Sequence, residues 1–278
     1  MQPRPVSVND RRTALEEGRM ELDGAGVVVT GAAAGIGAAL ARRFAAAGAR
    51  VVVNDLDAEA VTRVAGEVGG LAVPGDASSD EGVKALIAAA KGHLGAIDLY
   101  AANAGVGGAS SLDDEAGWEL SWQVNVLAQV RAARALLPDW LERGRGHFLA
   151  TVSAAGLLTM LGAPSYSVTK HGALAFAEWL SATYGDRGVT VQALCPQGVR
   201  TAMLEAAGEA GQLLLAESAI SPEAVAQCVV EALGNGRFLI LPHPEVAGYY
   251  AGRAADTDHW LAAMRKAQAV LDAPKRGA

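Results

Sequence analysis

The chain has 278 residues, 51% of them hydrophobic and 5% aromatic, which is enough to bury one large core and too little for two comfortable domains. Thirty acidic against 23 basic side chains leave a formal net charge of -7, which argues against a nucleic-acid face. No apolar run is long enough to cross a bilayer, no secretion signal is visible, and neither Cys195 and Cys228 nor the scattered histidines have metal-ligand spacing, so a cytoplasmic, metal-free globular protein is expected.

Residues 1–20, with Pro3, Pro5 and a charged second half, read as a flexible N-terminal arm. From residue 21 to 241 short β-branched runs alternate with longer Ala-rich stretches. Val27–Val29 is predicted as the first strand and Gly35–Ala47 as the first helix, closed by Gly48. Val51–Val53 makes a second strand, Asp57–Val68 a second helix, and Leu71–Val73 a short third strand. Ser78 with Glu81 has the spacing of a capping box and opens the next helix. Ile97–Ala102, His147–Val152, Val189–Leu194 and Phe238–Leu241 supply the remaining strands. Long helices are expected over Trp118–Arg143 and Ala163–Tyr184, and another from Ser221, with Pro222 at its first helical position.

Such alternation implies right-handed crossovers, hence an α/β fold: a doubly wound, Rossmann-type parallel sheet of seven strands with helices on both faces. Its ligand is expected beyond the carboxyl ends of the strands. Two segments break the rhythm. Residues 200–219, rich in Leu, Ala and Glu, are expected to form a mobile lid. Residues 242–278 read as a helical tail, packed on the same domain or on a neighbouring subunit, with Val246, Tyr249, Tyr250, Trp260, Leu261 and Met264 as its apolar face.

The first strand runs into Thr30-Gly31-Ala32-Ala33-Ala34-Gly35-Ile36-Gly37. Glycines at a strand-to-helix turn let the backbone approach a pyrophosphate, and the next helix offers it free N–H groups. In a chain this glycine-rich the spacing alone arises by chance about 0.5 times, so its placement between strand and helix carries the weight. Asp55, with Leu56 beside it, follows the second strand, where a carboxylate can accept both ribose hydroxyls of an adenosine; Asp55 or Asp57 could equally open the next helix. Asp76 and Ala77 stand where an adenine amine would be met, although Asp76 could simply begin a helix. Asn103-Ala104-Gly105 follows the fourth strand, with Asn103 suited to bracing neighbouring strands.

Ser153, Tyr166 and Lys170 decide the reading. Tyr166 and Lys170 are one helical turn apart and share a face. A tyrosine is a poor base at neutral pH, and lowering its pKa by about three units takes roughly 4 kcal/mol. One ammonium at about 4 Å, at an effective dielectric near 20, supplies that order of energy before desolvation. Ser153, at the end of the fifth strand and thirteen positions before Tyr166, can orient a substrate oxygen. The three residues at this spacing arise by chance only about 0.004 times.

In these features the sequence resembles the short-chain dehydrogenases/reductases in their compact single-domain form, from about Glu21 to Leu241. The resemblance carries the glycine turn, Asp76, the Asn103 triplet, Ser153 and Tyr166-Ser167-Val168-Thr169-Lys170. It implies that Asn125, in Val124-Asn125-Val126, kinks its helix and holds a water linked to Lys170. It also implies that Pro196, Val199 and Thr201, in Cys195-Pro196-Gln197-Gly198-Val199-Arg200-Thr201, meet the carboxamide of nicotinamide. Two departures stand out: Ala102 where the family has Asn, and Gln197, whose side chain is expected at the nicotinamide end where the family has Gly.

The resemblance therefore implies an NAD(P)-dependent oxidoreductase that moves a hydride between nicotinamide and a secondary alcohol or ketone. Asn125, Ser153, Tyr166 and Lys170 form the expected catalytic set, and Tyr166 and Lys170 also meet the cofactor. NAD is expected over NADP, because no cation follows Asp55 or precedes Gly35. The substrate is expected to be a fairly apolar small molecule, walled by Leu157, Leu158, Met160 and Leu161, and the assembly a homodimer or homotetramer. Arg131 and Arg134 leave open a ketoreductase acting on carrier-bound 3-oxoacyl groups, and Gln197 leaves open a non-catalytic dinucleotide-binding protein.

Overall fold

The computed structural model describes residues 19–272, so most of the expected N-terminal arm and the last six residues lie outside the described residues. Seven parallel strands form one sheet: β1 (Gly26–Thr30), β2 (Arg50–Asn54), β3 (Leu71–Ala72), β4 (Leu99–Ala102), β5 (Gly146–Thr151), β6 (Val189–Leu194) and β7 (Leu239–Ile240). Their spatial order is β3-β2-β1-β4-β5-β6-β7. The direction of winding reverses between β1 and β4, which opens a crevice at their carboxyl ends.

The strand sequences show why the sheet is covered on both faces. Successive side chains of a strand point to opposite sides. Val27, Val29, Val51 and Val53 enter one core with Leu40 and Phe44 of helix α1 (Gly35–Ala46), Val61 and Val64 of α2 (Ala58–Val68), and Val225 and Val229 of a later helix, Pro222–Leu233. Val28, Val52, Tyr100 and Phe148 enter the other, with Leu86 of α3 (Asp80–Leu94), Leu136 and Trp140 of α5 (Ala128–Arg143) and Leu180 of α6 (Pro164–Tyr184).

Helix α4 (Glu115–Trp122) runs into α5 through a π-helical turn at Gln123–Leu127, which contains Asn125. The helix expected from Trp118 thus starts three residues earlier, at a cap where the Asp114 carboxylate accepts from the Gly117 N–H. Ser79, not Ser78, caps α3, its hydroxyl accepting from the Gly82 N–H. Ser78 is instead drawn into a turn by the Asp76 carboxylate, which accepts the Ser78 N–H at 2.8 Å. β4 begins at Leu99 rather than Ile97, because the Ile97 carbonyl is taken by Trp140 Nε1 and by Arg143.

Residues 200–219 fold into two short helices, α7 (Ala202–Glu205) and α8 (Gly208–Leu215), before α9 (Pro222–Leu233). The tail forms α10 (Glu245–Ala255) and α11 (Thr257–Leu271). Tyr249, Trp260 and Met264 of the expected apolar face line one pocket with Leu158. Asp256 caps α11 and breaks the helix, Val246 alone enters the core, and Tyr249 and Leu261 are exposed.

Candidate active site

The glycine turn fits the pyrophosphate of a dinucleotide. A Cβ on Gly37 would lie 2.0 Å from the Gly31 carbonyl oxygen and 2.6 Å from Asn103 Nδ2, so only glycine lets α1 pack this closely. Gly31 and Gly35 both have positive φ, 63° and 53°, and a Cβ on Gly35 would stand 3.1 Å from Thr201 Cγ2. The start of residues 200–219 is thereby placed directly across from the turn. No side chain caps α1 and no acid stands in its first turn, which leaves its first N–H groups, including those of Ile36 and Gly37, to an anionic ligand.

Asp55 stands just past β2 and faces this turn. One carboxylate oxygen accepts the Ala33 N–H at 3.0 Å and the other the Asp57 N–H at 3.2 Å. The cap of α2 is Asp57, which accepts from the Ala60 N–H. Leu56 is exposed beside it. The two nearest arginines of α1 are engaged elsewhere, Arg42 with Glu67 and Arg43 with Gln227. Asp76 is exposed and Ala77 buried at the mouth of the same crevice.

Asn103 joins three strand ends. Its amide donates to the Thr30 and Gly31 carbonyls, and its side-chain oxygen accepts from Thr151. Thr30 Oγ1 accepts the N–H groups of Asn103 and Ala104. Next in line, Gly105 lies against Asn125 and Lys170, since a Cβ there would meet Asn125 Oδ1 at 3.2 Å and Lys170 Nζ at 3.3 Å.

The expected catalytic residues converge at the carboxyl end of β5. Ser153 is buried, accepts the Ala155 N–H at 3.1 Å and lies 3.5 Å from the Pro196 carbonyl, to which it can donate. Desolvation pushes the Tyr166 phenol up, while a hydrogen bond with Ser153 pulls against that rise. Lys170 Nζ donates to the Thr151 carbonyl at 3.0 Å and lies 5.5 Å from the centre of the Tyr166 ring. Burial lowers the Lys170 pKa to about 8. Desolvation is the largest influence on both groups.

Asn125 is fully buried in the π turn. Its side chain exchanges two hydrogen bonds with the Val106 backbone and donates to Thr169 Oγ1. Its carbonyl accepts from Gln129 Nε2 at 3.1 Å. Pro196 and Val199 are buried, and Thr201 Oγ1 donates to the Val199 carbonyl. The Gln197 amide donates toward Ser218 Oγ and its backbone N–H to His243 Nδ1, which ties it to the end of residues 200–219 and to the tail.

A family model described as short chain dehydrogenase matches residues 25–212, more than half of the chain. The chain belongs to the short-chain dehydrogenase family. This short-chain dehydrogenase is 38% identical over 243 residues to the 1-deoxy-11-beta-hydroxypentalenate dehydrogenase of Streptomyces exfoliatus, covering 81% of this chain and 86% of that one. It is 31% identical over 192 residues to the 7alpha-hydroxysteroid dehydrogenase of Escherichia coli K12, covering 67% and 75%. A short-chain dehydrogenase from Burkholderia phymatum, solved in complex with NAD, is similar with a TM-score of 0.80 at 28% identity, covering 87% of this chain and 96% of that one. The short-chain dehydrogenase described here is accordingly an oxidoreductase acting on CH–OH or keto groups with a nicotinamide dinucleotide. Among the described residues no helix is long and apolar enough to cross a membrane.

Sequence reasoning missed two residues of this dehydrogenase's site. Thr151, which holds both Lys170 and Asn103, is legible only as a hydroxyl closing the apolar end Phe148–Ala150 of its strand. Cys195 is fully buried, and desolvation pushes its thiol up to about 12, which keeps it neutral. Its position before Pro196 was the only hint.

Proposed function

We propose that this dehydrogenase interconverts a secondary alcohol and a ketone on a bulky, apolar, alicyclic small molecule, with NAD preferred over NADP. The observation that carries the reading is the convergence of buried Ser153 at the end of β5 with Lys170, whose Nζ is anchored to the Thr151 carbonyl and lies 5.5 Å from the centre of the Tyr166 ring. When bound, the nicotinamide accepts or supplies the hydride. Tyr166 exchanges the proton of the substrate oxygen, which Ser153 orients. Lys170 holds the nicotinamide ribose and adds positive charge beside the phenol, and Asn125 fixes the loop at Val106 and the helix at Thr169 on either side of the lysine. Gly31, Gly35, Ile36 and Gly37 take the pyrophosphate, Asp55 and Leu56 the adenosine ribose, Asp76 and Ala77 the adenine. Asn103, Ala104 and Gly105 floor the cofactor, and Pro196, Val199 and Thr201 take the carboxamide.

The apolar substrate rests on Leu158, Met160 and Leu161, and on exposed Met203, Leu213 and Leu214 of the nearby segment, which serves as the lid; Leu157, expected in the same wall, is instead buried in the core behind it. The two named relatives act, by their names, on hydroxyl groups of a pentalenate and a steroid, which supports an alicyclic substrate. Carrier-bound acyl groups fit poorly, because Arg131 is engaged with Ser78 and Gln123 and Arg134 with Asp80. A diffusible substrate and cofactor suit a cytoplasmic enzyme, and we place it there as a homodimer or homotetramer.

Two measurements test the proposal. Turnover of NADH and NAD is followed across a panel of alicyclic ketones and alcohols, with acyclic and thioester-linked ketones as the contrast; the highest kcat/KM is expected among the alicyclic compounds. Dissociation constants of both cofactors are then compared in wild type and Asp55→Ala. A 2′-phosphate held close to the Asp55 carboxylate costs a few kcal/mol, so NAD is expected to bind roughly a hundredfold more tightly. Asp55→Ala is expected to erase most of that preference. Equal affinities in the wild type would overturn it.

A further inference from the structure

The catalytic helix and the turn behind Ser153 are bolted together by a residue outside the family-model match. Arg253 projects from α10, beyond residue 212 where that match ends. One guanidinium nitrogen, Nη1, donates to the Leu157 carbonyl and, at 3.1 Å, to His171 Nε2. Its carbon lies 5.1 Å from the centre of the Trp260 ring of α11. The roles in this network are fixed by chemistry. Arginine has only donors, and His171 Nδ1 lies 2.9 Å from the Ser167 carbonyl, which can only accept. His171 therefore carries its proton on Nδ1 and turns the Nε2 lone pair to Arg253.

Both acceptors adjoin the reaction machinery. His171 follows Lys170 on α6. Leu157 closes the 3-10 turn Ala154–Gly156, whose Ala155 N–H donates to Ser153 Oγ. That turn packs on the catalytic helix so tightly that a Cβ on Gly156 would lie 2.7 Å from the Lys170 carbonyl oxygen. A cation on the last carbonyl of the turn makes a charge-assisted hydrogen bond, stronger than a neutral one. Stacking on Trp260 pre-orients the planar guanidinium that makes it.

We infer that Arg253 is a positioning residue of this dehydrogenase: by clamping the Leu157 carbonyl to His171 it holds the turn that aims Ser153 at the substrate oxygen. The inference rests on the role proposed above for Ser153. Small misplacements of a catalytic group cost up to about a hundredfold in rate. Arg253→Met is therefore expected to lower kcat about tenfold while leaving the NAD dissociation constant within twofold. Arg253→Lys keeps the charge but loses the planar guanidinium that lies over Trp260 and holds Nη1 between its two acceptors, so it is expected to fall between.

The test is a double-mutant cycle with Ser153→Ala, run on the ketone turned over fastest in the panel, with thermal midpoints and NAD titrations recorded for every variant. If Arg253 acts through Ser153, Arg253→Met and Arg253→Lys cost little further rate once Ser153 is alanine. Additive losses, or kcat within twofold of wild type in folded Arg253→Met, would overturn the inference while leaving the Ser153 reading intact. Should Arg253→Met not fold, the Arg253→Lys arm of the cycle decides alone by the same criterion. Wild-type rates in Ser153→Ala itself would sink the site assignment and this inference with it.

Discussion

Burial pushes Tyr166 and Lys170 in opposite directions, and both shifts disfavour charge: the phenol keeps its proton more firmly, and the ammonium releases its proton more easily. A raised tyrosine suits proton donation to a ketone oxygen, and in alcohol oxidation it must be helped by the positive charges gathered beside it. Tyr166→Phe removes one hydroxyl and little volume. We expect turnover to fall by at least roughly a hundredfold, in line with loss of a general acid–base, and NAD affinity to stay within a few-fold. Steady-state rates and cofactor titration on the purified variant check this, and activity within a few-fold of wild type would refute the role. Lys170 gives a pH test. Its folded pKa of about 8 lies below its ordinary value, so the ammonium is present below pH 8 and lost as pH rises through it. Calorimetric titration is expected to show NAD affinity level up to about pH 7.5 and falling above pH 8. Lys170→Met is expected to bind weakly at every pH, with that fall abolished.

At the scale of elements, β5 and β6 are tied by a buried pair whose titration reports on the fold. Gln192 Nε2 donates to the Ala232 and Arg237 carbonyls, so Gln192 Oε1 must accept, and His147 Nε2, 3.0 Å away, must be the donor. Burial holds the His147 pKa at about 4, so it sits neutral at pH 7. The unfolded chain takes up this proton from about pH 6.5 downward and the folded one only near 4. Stability is thus complete above pH 6.5 and is lost as pH falls toward 4, by about 3 kcal/mol at this site. Urea unfolding at pH 7 and pH 4 should show that loss in wild type beyond whatever His147→Phe shows; equal losses would refute the assignment. The same elements show how far the sequence could be read. Runs such as Val51–Val53 and the Tyr166–Lys170 turn were legible because strand burial and helical spacing are local properties. The π turn around Asn125 entered only through the family resemblance, because its extra residue is stabilised by Val106 and Thr169, far away in sequence. The cap at Ser79 rather than Ser78 was decided by one carboxylate, that of Asp76, which captured the Ser78 N–H first. The network on Arg253 joins residues 96 and 82 positions apart, and no spacing rule reaches so far.

At the scale of the whole molecule, the outer faces of α4 and α6 remain to be covered. Leu120 and Trp122 on α4 are 53% and 41% exposed, and Val168 and Trp179 on α6 are 50% and 54% exposed. The two helices pack on each other, with Trp122 lying against Gly172, where an added Cβ would meet its ring at 3.5 Å. Positions 168, 172, 175 and 179 follow helical spacing along one side of α6, so the exposed residues form a stripe rather than a scatter. Stripes of large apolar side chains on neighbouring helices mark association surfaces in soluble proteins. A two-fold axis across this face would pair α4 and α6 with their copies in a four-helix layer, burying the back of the catalytic helix without touching the crevice at the strand ends. The chain is therefore expected to be at least a dimer, of twice 28.4 kDa, in light scattering at micromolar concentration. Leu120→Glu with Trp179→Glu places like charges across the axis and is expected to raise the dissociation constant by roughly a hundredfold or more, since opposed carboxylates in a desolvated interface cost several kcal/mol. The same variant should retain NAD binding, because neither residue borders the glycine turn. A clean monomer in the wild type, or a double variant that stays fully dimeric, would show that this stripe is not the interface.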